Sequence, residues 1–295
     1  MPKQIWINGE LVPEADAKLS VYDHGLLYGD GVFEGIRAYN GRIFKMESHL
    51  KRLYASAAAI RLEIPYEVDK LGQALRETLD ANGKTDAYFR LCVTRGKGPL
   101  GINPFLCKQA TVFIIVDDIS MYPRELYDNG MAIIIAKTIR NHPDALCPSI
   151  KSLNYLNNIL GKIEAIDAGV LEAVMLNHQG NVAECTADNL FIVRNNAQGN
   201  TEIVTPPITA GALEGVTMNT VLTLAEEAGL PINRVDLKPE ELFTANEVFL
   251  TGTAAEVIPV TKIDDQLIGD GTPGPITQQL SKAFHHYVNT QASED

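Results

Sequence analysis

The sequence predicts a two-domain protein of mixed class, α+β or α/β, because strand-like and helical patterns alternate along the chain. Its 295 residues are enough for one large domain or two ordinary ones. The stretch 117–130 is polar, contains Pro123 and lacks clear periodicity. We therefore predict an N-terminal α+β domain at 1–120, a linker at 121–130 and a larger C-terminal domain at 131–295.

Composition and charge narrow the class of function. Hydrophobic residues make up 45% and charged residues 21%, as in soluble globular proteins. The net charge of -12 argues against a nucleic-acid partner, because binding a phosphate backbone requires a basic face. No leader-like segment begins the sequence and no apolar stretch is long enough to span a bilayer. We expect a cytoplasmic protein with neither a nucleic-acid nor a membrane partner.

The cysteines do not form a metal-site pattern. They are far apart, and no pair has the spacing of metal ligands. We expect reduced, mostly buried thiols and no metal site. The four are Cys92, Cys107, Cys147 and Cys185.

The N-terminal domain begins with two predicted hairpins. Apolar arms at 5–12 flank Asn8-Gly9, and a second pair at 31–46 flanks Asn40-Gly41. Asn-Gly tolerates the positive φ angles of a tight hairpin turn. Helical spacing follows from Leu50 to Ala57 and from Val68 to Leu79, and strand-like runs follow at 87–94 and 110–116.

The C-terminal domain alternates strands with helices. A strand at 131–139 precedes a proline-containing loop, and a helix is predicted from Leu153 to Ala168. Its apolar residues share one face, which we expect to pack inside the protein. Short strands are predicted at 173–176, 190–193 and 247–250, and helices near 216–228 and 275–287.

The familiar catalytic motifs are missing. The sequence has no G-x-S-x-G, no G-x-x-x-x-G-K-[ST] and no H-E-x-x-H. Periodicity alone therefore predicts only a two-domain protein of mixed class.

Five separated sequence blocks, in order along the chain, indicate a more specific assignment. Together they resemble class IV (fold-type IV) transaminases, which are pyridoxal-phosphate enzymes with the D-amino acid aminotransferase-like fold. Within that family, Phe33-Glu34-Gly35 resembles the branched-chain amino acid aminotransferases. The blocks are Asp23 to Tyr39, Ser149 to Leu156, Glu184 to Phe191, Leu213 to Thr217 and Leu250 to Glu256.

The resemblance implies a role for each of three residues near the cofactor ring. Lys151 matches the lysine that forms the resting Schiff base with pyridoxal 5'-phosphate, chemistry that requires a primary amine. Glu184 matches the acid that keeps the pyridine nitrogen protonated, because a nearby carboxylate favours the charged ring. Tyr155 is similar to the tyrosine that bonds the phenolic oxygen of the cofactor.

The resemblance also assigns residues to the phosphate. Gly215 to Thr217 opens a helix, and backbone N–H groups at a helix start bind anions. Arg52 is similar to the family's phosphate arginine, whose planar fork gives two bonds. The cofactor residues implied in this way are Arg52, Val216, Thr217 and Thr253.

Substrate recognition is assigned by the same resemblance. Tyr28, Phe33, Gly35 and Tyr155 would surround the side-chain pocket. We expect Arg90, oriented by Tyr88, to bind the second carboxylate of glutamate, with a structural ion pair as its alternative. Thr253 and Ala254 would offer backbone N–H groups to the α-carboxylate.

The resemblance thus implies transamination between leucine, isoleucine or valine and 2-oxoglutarate, in a homodimer or higher homo-oligomer, with the cofactor enclosed by residues of both domains. The partners are small amino acids and 2-oxo acids. Alternatives of the same fold are a D-amino acid transaminase, an (R)-amine transaminase and an aminodeoxychorismate lyase. A non-catalytic cofactor-binding protein is disfavoured because binding alone would not need both Lys151 and Glu184.

Overall fold

A computed structural model describes residues 2–119 and 122–290, and they pack as two compact units. Unit 1 contains residues 2–119, 150–154 and 288–290, and unit 2 contains residues 122–149 and 155–287. The short segment that carries Lys151 therefore packs with the N-terminal unit, although the predicted ranges placed it in the C-terminal domain. Residues 120 and 121, the last of the predicted N-terminal domain and the first of the predicted linker, lie outside the described residues.

Unit 1 is built on a six-stranded antiparallel sheet in the order β2-β1-β6-β5-β3-β4. The strands are β1 (Gln4–Ile7), β2 (Glu10–Pro13), β3 (Gly31–Tyr39), β4 (Arg42–Ile43), β5 (Ala87–Thr94) and β6 (Thr111–Asp117). Both predicted hairpins are confirmed. Asn8 and Asn40 turn with φ of 49° and 51°, in the left-handed region that asparagine tolerates.

Two long helices cover unit 1's core. They are α2 (Met46–Ala59) and α3 (Val68–Ala81), and the short α1 (His24–Tyr28) precedes β3. Apolar side chains of these helices and of the sheet form one buried cluster that includes Trp6, Leu53 and Phe89. The predicted end of α3 before Asn82-Gly83 is confirmed.

The segment 150–154 runs beside β3. The N–H of Phe33 donates to the carbonyl of Lys151 at 3.0 Å, and the N–H of Leu153 donates to the carbonyl of Gly31 at 2.9 Å. Ile150 packs against the apolar cluster of unit 1. These contacts fix the backbone of Lys151 against the strand that carries Phe33.

Unit 2 contains a nine-stranded sheet in the order β12-β11-β10-β13-β14-β7-β8-β9, with β15 paired to β14. Parallel pairing joins β11 to β12, β14 to β7 and β7 to β8. The strands are β7 (Met131–Ile135), β8 (Ala173–Leu176), β9 (Val182–Cys185), β10 (Asn189–Asn195), β11 (Thr201–Thr205), β12 (Ile232–Arg234), β13 (Glu247–Gly252), β14 (Glu256–Ile263) and β15 (Gln266–Leu267).

The remaining helices differ in length. They are α4 (Arg124–Asn129), α5 (Leu156–Asp167), α6 (Val216–Glu227), α7 (Pro239–Phe243) and α8 (Pro275–Thr290). Helix α4 lies inside the predicted linker, and Tyr122 just before it is buried in the core of unit 2. The linker stretch therefore contributes to packing, which its polar composition did not indicate.

Two predicted elements are longer than the observed ones. Strand β7 ends at Ile135 rather than at residue 139, since the N–H groups of Lys137 and Thr138 donate to the Glu164 carboxylate and not to a strand. Helix α5 begins at Leu156 rather than at Leu153. The residues before it are committed to the contacts with β3.

The prediction that the apolar face of α5 packs inside the protein is wrong for the single chain. Leu156 is 67% exposed and Ile163 is 46% exposed. Ile159, Leu160 and Ile166 are exposed as well. The buried side of the helix instead carries the small or polar residues Asn158, Gly161 and Ala165.

Two further findings concern the whole described part of the chain. In residues 2–119 and 122–290, no helix combines the length and the apolar character that crossing a membrane requires. All four cysteines are free thiols, and of these Cys92 and Cys185 are buried while Cys107 and Cys147 are partly exposed.

Candidate active site

Lys151 lies over an aromatic ring in unit 1. Its Nζ is 4.7 Å from the ring centroid of Phe33. Its backbone N–H donates to Oγ of Ser56 at 3.2 Å, and Ser56 is buried on α2. The lysine is therefore anchored through its main chain to β3 and α2, while its amine lies against an apolar surface.

Glu34 is the centre of a buried charge cluster in unit 1. Nε of Arg52 donates to Oε1 and Nη2 donates to Oε2, both at 2.7 Å, and Nδ1 of His49 lies 2.8 Å from Oε2. Burial opposes ionisation of Glu34, but Arg52 and His49 outweigh it and lower the pKa to about 2. Burial likewise lowers the pKa of His49, against the influence of Glu34. Arg52 is thus half of a bidentate ion pair, which fixes the direction of its guanidinium group.

Arg90, Tyr88 and Phe33 form an aromatic and cationic group on β3 and β5. The guanidinium carbon of Arg90 is 4.6 Å from the Phe33 ring centroid, and Nη2 donates to the Tyr88 hydroxyl at 3.2 Å. Nε of Arg90 is buried without a hydrogen-bond partner. Among the ion pairs of the described residues none involves Arg90, so the alternative of a structural ion pair is not supported.

Tyr28 ends α1. Its hydroxyl accepts a hydrogen bond from the N–H of Gly101 at 2.9 Å, and its ring meets the edge of the His24 ring with centroids 5.0 Å apart. The loop that contains Gly101 is thereby attached to α1 in unit 1.

Glu184 is held in unit 2 by an arginine that the sequence did not single out. Nε and Nη2 of Arg140 donate to Oε1 of Glu184 at 2.9 and 2.7 Å, and the N–H of Leu213 donates to Oε2 at 2.9 Å. Both partners of the ion pair are buried. The arginine also donates to Asn157 and Asn158 at 3.1 Å each. These donors stabilise Glu184 as a carboxylate anion in a fixed orientation.

The predicted phosphate loop starts helix α6. Gly215 occupies the N-cap position, and no side chain caps the helix. Val216 and Thr217 are buried, and the Thr217 hydroxyl is a buried polar atom without a hydrogen-bond partner. A helix start with uncapped amides and an unused hydroxyl is suited to an anion.

The second predicted loop is the turn between β13 and β14. Thr253 and Ala254 are half-buried turn residues, and Glu256 closes the turn with φ of 59°. The hydroxyl of Thr251, just before the turn, is buried without a partner. Tyr155, also in unit 2, occupies the N-cap of α5.

The predicted site residues thus form local groups within each unit. In unit 1, Lys151 and Arg90 both contact the Phe33 ring, and Tyr88 joins Arg90. In unit 2, Glu184 is joined to the loop before α6 through Leu213. The missed residues are Glu34, His49 and Arg140. A buried carboxylate requires a cationic partner, and that requirement was the available signal for Arg140.

Comparisons with known proteins identify the family. The family model for "Amino-transferase class IV" matches residues 31–263. The chain is 46% identical over 281 residues to a putative branched-chain-amino-acid aminotransferase of Methanocaldococcus jannaschii, covering 95% of each chain. It is also 36% identical over 297 residues to a D-alanine aminotransferase of Bacillus licheniformis, covering 99% of each chain.

Solved structures give the same fold. A branched-chain amino acid aminotransferase of Escherichia coli matches with a TM-score of 0.95 and 32% identity, covering 100% of this chain and 97% of that chain. One from Thermobaculum terrenum, in its PLP-form, matches with a TM-score of 0.87 and 32% identity, covering 100% of this chain and 95% of that chain. The predicted two-domain fold and family are confirmed. The chain belongs to the class IV aminotransferases, pyridoxal-phosphate-dependent enzymes of fold type IV.

Proposed function

We propose that the chain transfers an amino group between branched-chain L-amino acids and 2-oxoglutarate. Leucine, isoleucine or valine would give the matching 2-oxo acid, and 2-oxoglutarate would become L-glutamate. The observation that carries this proposal is the group at β3 and β5, where Arg90 lies on the Phe33 ring and has no acidic partner among the described residues. An apolar ring suits an aliphatic side chain, and an arginine with donors to spare suits the second carboxylate of glutamate. The branched-chain aminotransferases among the relatives support the same interpretation.

The residues present fit pyridoxal 5'-phosphate. Thr217 has a buried hydroxyl without a partner at an uncapped helix start, which suits a phosphate. Glu184 is held as an anion by Arg140, which suits a protonated pyridine nitrogen. We propose that the cofactor is held by Arg52, Lys151, Tyr155, Glu184, Val216, Thr217 and Thr253.

When bound, the cofactor supplies an aldehyde that links to amines and a ring that accepts electron density. Lys151 provides the amine for the resting link and, once displaced by the substrate amine, its Nζ takes up the substrate α-proton and returns it as an acid. The Phe33 ring, 4.7 Å from Nζ, gives this amine an apolar neighbour. Arg140 and the Leu213 amide bond the two oxygens of the Glu184 carboxylate and hold it in one orientation.

Substrate orientation requires two further contacts. We propose that the turn residues Thr253 and Ala254 offer backbone N–H groups to the α-carboxylate. Arg90 meets the second carboxylate of glutamate or 2-oxoglutarate, since an unpaired charge in an apolar pocket is costly. Tyr28 and Gly35 complete the side-chain pocket in this proposal.

The exposed apolar face of α5 supports a homo-oligomer. Five large apolar side chains on one helix remain uncovered in the single chain, and such a patch typically marks a protein interface. We propose that a second copy of the chain covers it. Changing Leu156 and Ile163 to Glu should then shift the protein to a smaller species in sedimentation, whereas the same change at the exposed polar residues Gln73 and Lys282 should not. An unchanged sedimentation coefficient for Leu156→Glu/Ile163→Glu contradicts the assignment.

The free cysteines are typical of a reducing compartment. They support the proposal that the enzyme works in the cytoplasm.

A D-amino acid transaminase is the second candidate, since a D-alanine aminotransferase is among the relatives. The resemblance disfavours it, because those enzymes carry Tyr-Glu-Val at the place of Phe33-Glu34-Gly35 and have Arg and His in the loop that corresponds to residues 96–102, which has neither here. The (R)-amine transaminase and the aminodeoxychorismate lyase remain alternatives of the same fold.

A substrate panel tests the proposal. The purified chain is incubated with L-leucine, D-alanine, an (R)-amine or aminodeoxychorismate, each with 2-oxoglutarate, and the products are quantified. We expect glutamate and the leucine-derived 2-oxo acid, with little product from the others. Borohydride treatment followed by peptide mapping should place the cofactor on Lys151. A label on another lysine, or D-alanine as the best donor, refutes the corresponding assignment.

A further inference from the structure

Two adjacent side chains at the start of β10 each place an oxygen atom close to a glycine, one before helix α6 and the other at the end of β13. A Cβ built on Gly215 would be 2.1 Å from Oδ1 of Asn189, and a Cβ built on Gly252 would be 2.0 Å from Oδ1 of Asp188. Gly215 precedes Val216 and Thr217, and Gly252 precedes Thr253. We propose that Asp188 and Asn189 are positioning residues that set the phosphate loop and the carboxylate-binding turn from one rigid dipeptide. This inference rests on the proposed function of those loops.

Asn189 holds the phosphate loop by two contacts. Its Nδ2 donates to the carbonyl of Leu213 at 2.8 Å, while the N–H of the same Leu213 donates to Glu184 at 2.9 Å. The backbone carbonyl and the backbone N–H of Leu213 are therefore both held by buried side chains. The Oδ1 atom of Asn189 occupies the space that a Cβ on Gly215, the N-cap of α6, would need. The direction in which α6 presents its first amides follows from these contacts.

Asp188 holds the turn between β13 and β14 in a similar manner. Its Oδ2 accepts a hydrogen bond from the Tyr122 hydroxyl at 2.8 Å, which fixes the carboxyl group, and its Oδ1 faces Gly252. The carboxyl is buried. Its neighbours are Glu172, also reached by Tyr122 at 3.4 Å, and Cys185.

The dipeptide 188–189 and the turn between β13 and β14 belong to neighbouring strands of one sheet. Asn189 is paired with Thr251 in the register of β10 and β13, so the dipeptide and the turn share one antiparallel ladder. Only glycine at 215 and 252 leaves space for the two oxygens. A change at Asn189 should therefore act mainly on the loop that contains Gly215, and a change at Asp188 mainly on the turn after Gly252. Lys151 belongs to unit 1 and is anchored there.

The first test compares two cofactor forms. The full-length chain and the variants Asn189→Asp and Asn189→Ala are freed of cofactor, and their affinities for pyridoxal 5'-phosphate and for pyridoxal are measured by absorbance titration. Asn219→Ala, which changes an exposed amide on α6, is the matched control. Aspartate keeps the shape of Asn189 but cannot donate to the Leu213 carbonyl. We expect both Asn189 variants to lose about tenfold in affinity for the phosphorylated form and much less for pyridoxal, and the control to lose neither.

A double-variant cycle tests the contact itself. Gly215→Ala should weaken binding of the phosphorylated cofactor, because its methyl group meets Oδ1 of Asn189. Asn189→Ala removes that oxygen, so Asn189→Ala/Gly215→Ala should lose less than the sum of the single losses. Additive losses, or equal losses for both cofactor forms, overturn the role of Asn189.

The carboxylate turn is tested by a conservative rescue. Asp188→Ala should raise the Michaelis constant for leucine more than it lowers turnover, and Asp188→Asn, which keeps an atom against Gly252, should restore the wild-type value. Equal damage by both variants overturns the role of Asp188. A wild-type chain that binds neither cofactor form overturns the proposed function together with this inference, whereas an active wild type with unaltered variants overturns this inference alone.

Discussion

The hydroxyl oxygen of Tyr88 occupies the space beside Gly35 that a side chain would need, since a Cβ built on Gly35 would be 2.1 Å from that oxygen. Gly35 on β3 is paired with Arg90 on β5, and the same hydroxyl accepts a hydrogen bond from Arg90 at 3.2 Å. The glycine of Phe33-Glu34-Gly35 therefore provides the space in which Tyr88 orients the arginine. This gives a physical reason for the small residue at that position.

Gly35→Ala should displace Tyr88 and with it Arg90. Overpacking of this kind costs about 1–3 kcal/mol. We expect the Michaelis constant for 2-oxoglutarate to rise more than that for leucine, because only the diacid needs the arginine. Tyr88→Phe in the same chain removes the oxygen and should relieve part of the effect. Steady-state kinetics with both substrates measures it, and a Gly35→Ala enzyme with unchanged constants refutes the relationship.

Arg90→Ala should separate the two substrate classes. Losing a charge-assisted hydrogen bond costs about 1.5–3 kcal/mol, or roughly tenfold to a hundredfold. We expect that loss in the Michaelis constants for glutamate and 2-oxoglutarate, with a much smaller change for leucine. Arg124→Ala, at a side chain that is 83% exposed, is the charge-matched control. If leucine and glutamate kinetics suffer equally, Arg90 is only structural.

Local sequence patterns correctly predicted the elements that depend on contacts between residues close together in the chain. The hairpin at Asn8-Gly9, strand β5 and the end of α3 follow from turn chemistry and periodicity over a few residues. Helix α5 shows the limit. Its periodicity identified an apolar face but not what covers it, because a period does not specify a partner.

The site residues also fall into those that the sequence could identify and those that it could not. Lys151 and Glu184 were recognisable because each lies within a distinctive block. Arg140 was not, since it lies in an irregular loop and its ion pair spans a separation of 44 residues. The contacts of Asn189 and Asp188 with two glycines depend on the register between strands of unit 2. Alternating hydrophobicity in the sequence does not determine which residues of two strands are paired.

Glu184→Gln should abolish most turnover while the cofactor stays bound. Glutamine keeps the shape, but it is neutral, and its amide cannot accept from both Arg140 and the Leu213 N–H. The uncompensated buried arginine should also lower the melting temperature, since breaking such a pair costs about 3–5 kcal/mol. Cofactor absorbance, single-turnover rates and thermal melting measure the three effects. Near-normal turnover would mean that the ring nitrogen has another partner.

The buried carboxyl of Asp188 should make stability depend on pH near neutrality. Burial, reinforced by Glu172, raises its pKa to about 7 against the hydrogen bond from Tyr122, whereas an unfolded aspartate titrates near about 3.9. Between these values the folded chain binds more protons than the unfolded one, so this group's contribution to stability is complete below the unfolded pKa and is lost as the pH rises to about 7.

Asp188→Asn removes this titration. Its melting temperature relative to the wild type should therefore increase as the pH rises from 5 towards about 7 and level off above it. The exposed Asp236→Asn is the control, and its difference from the wild type should stay flat over the same range. Calorimetry at several pH values measures both. A difference between Asp188→Asn and the wild type that does not change with pH would show that Asp188 is already ionised in the folded chain at pH 5, and so would overturn the raised pKa.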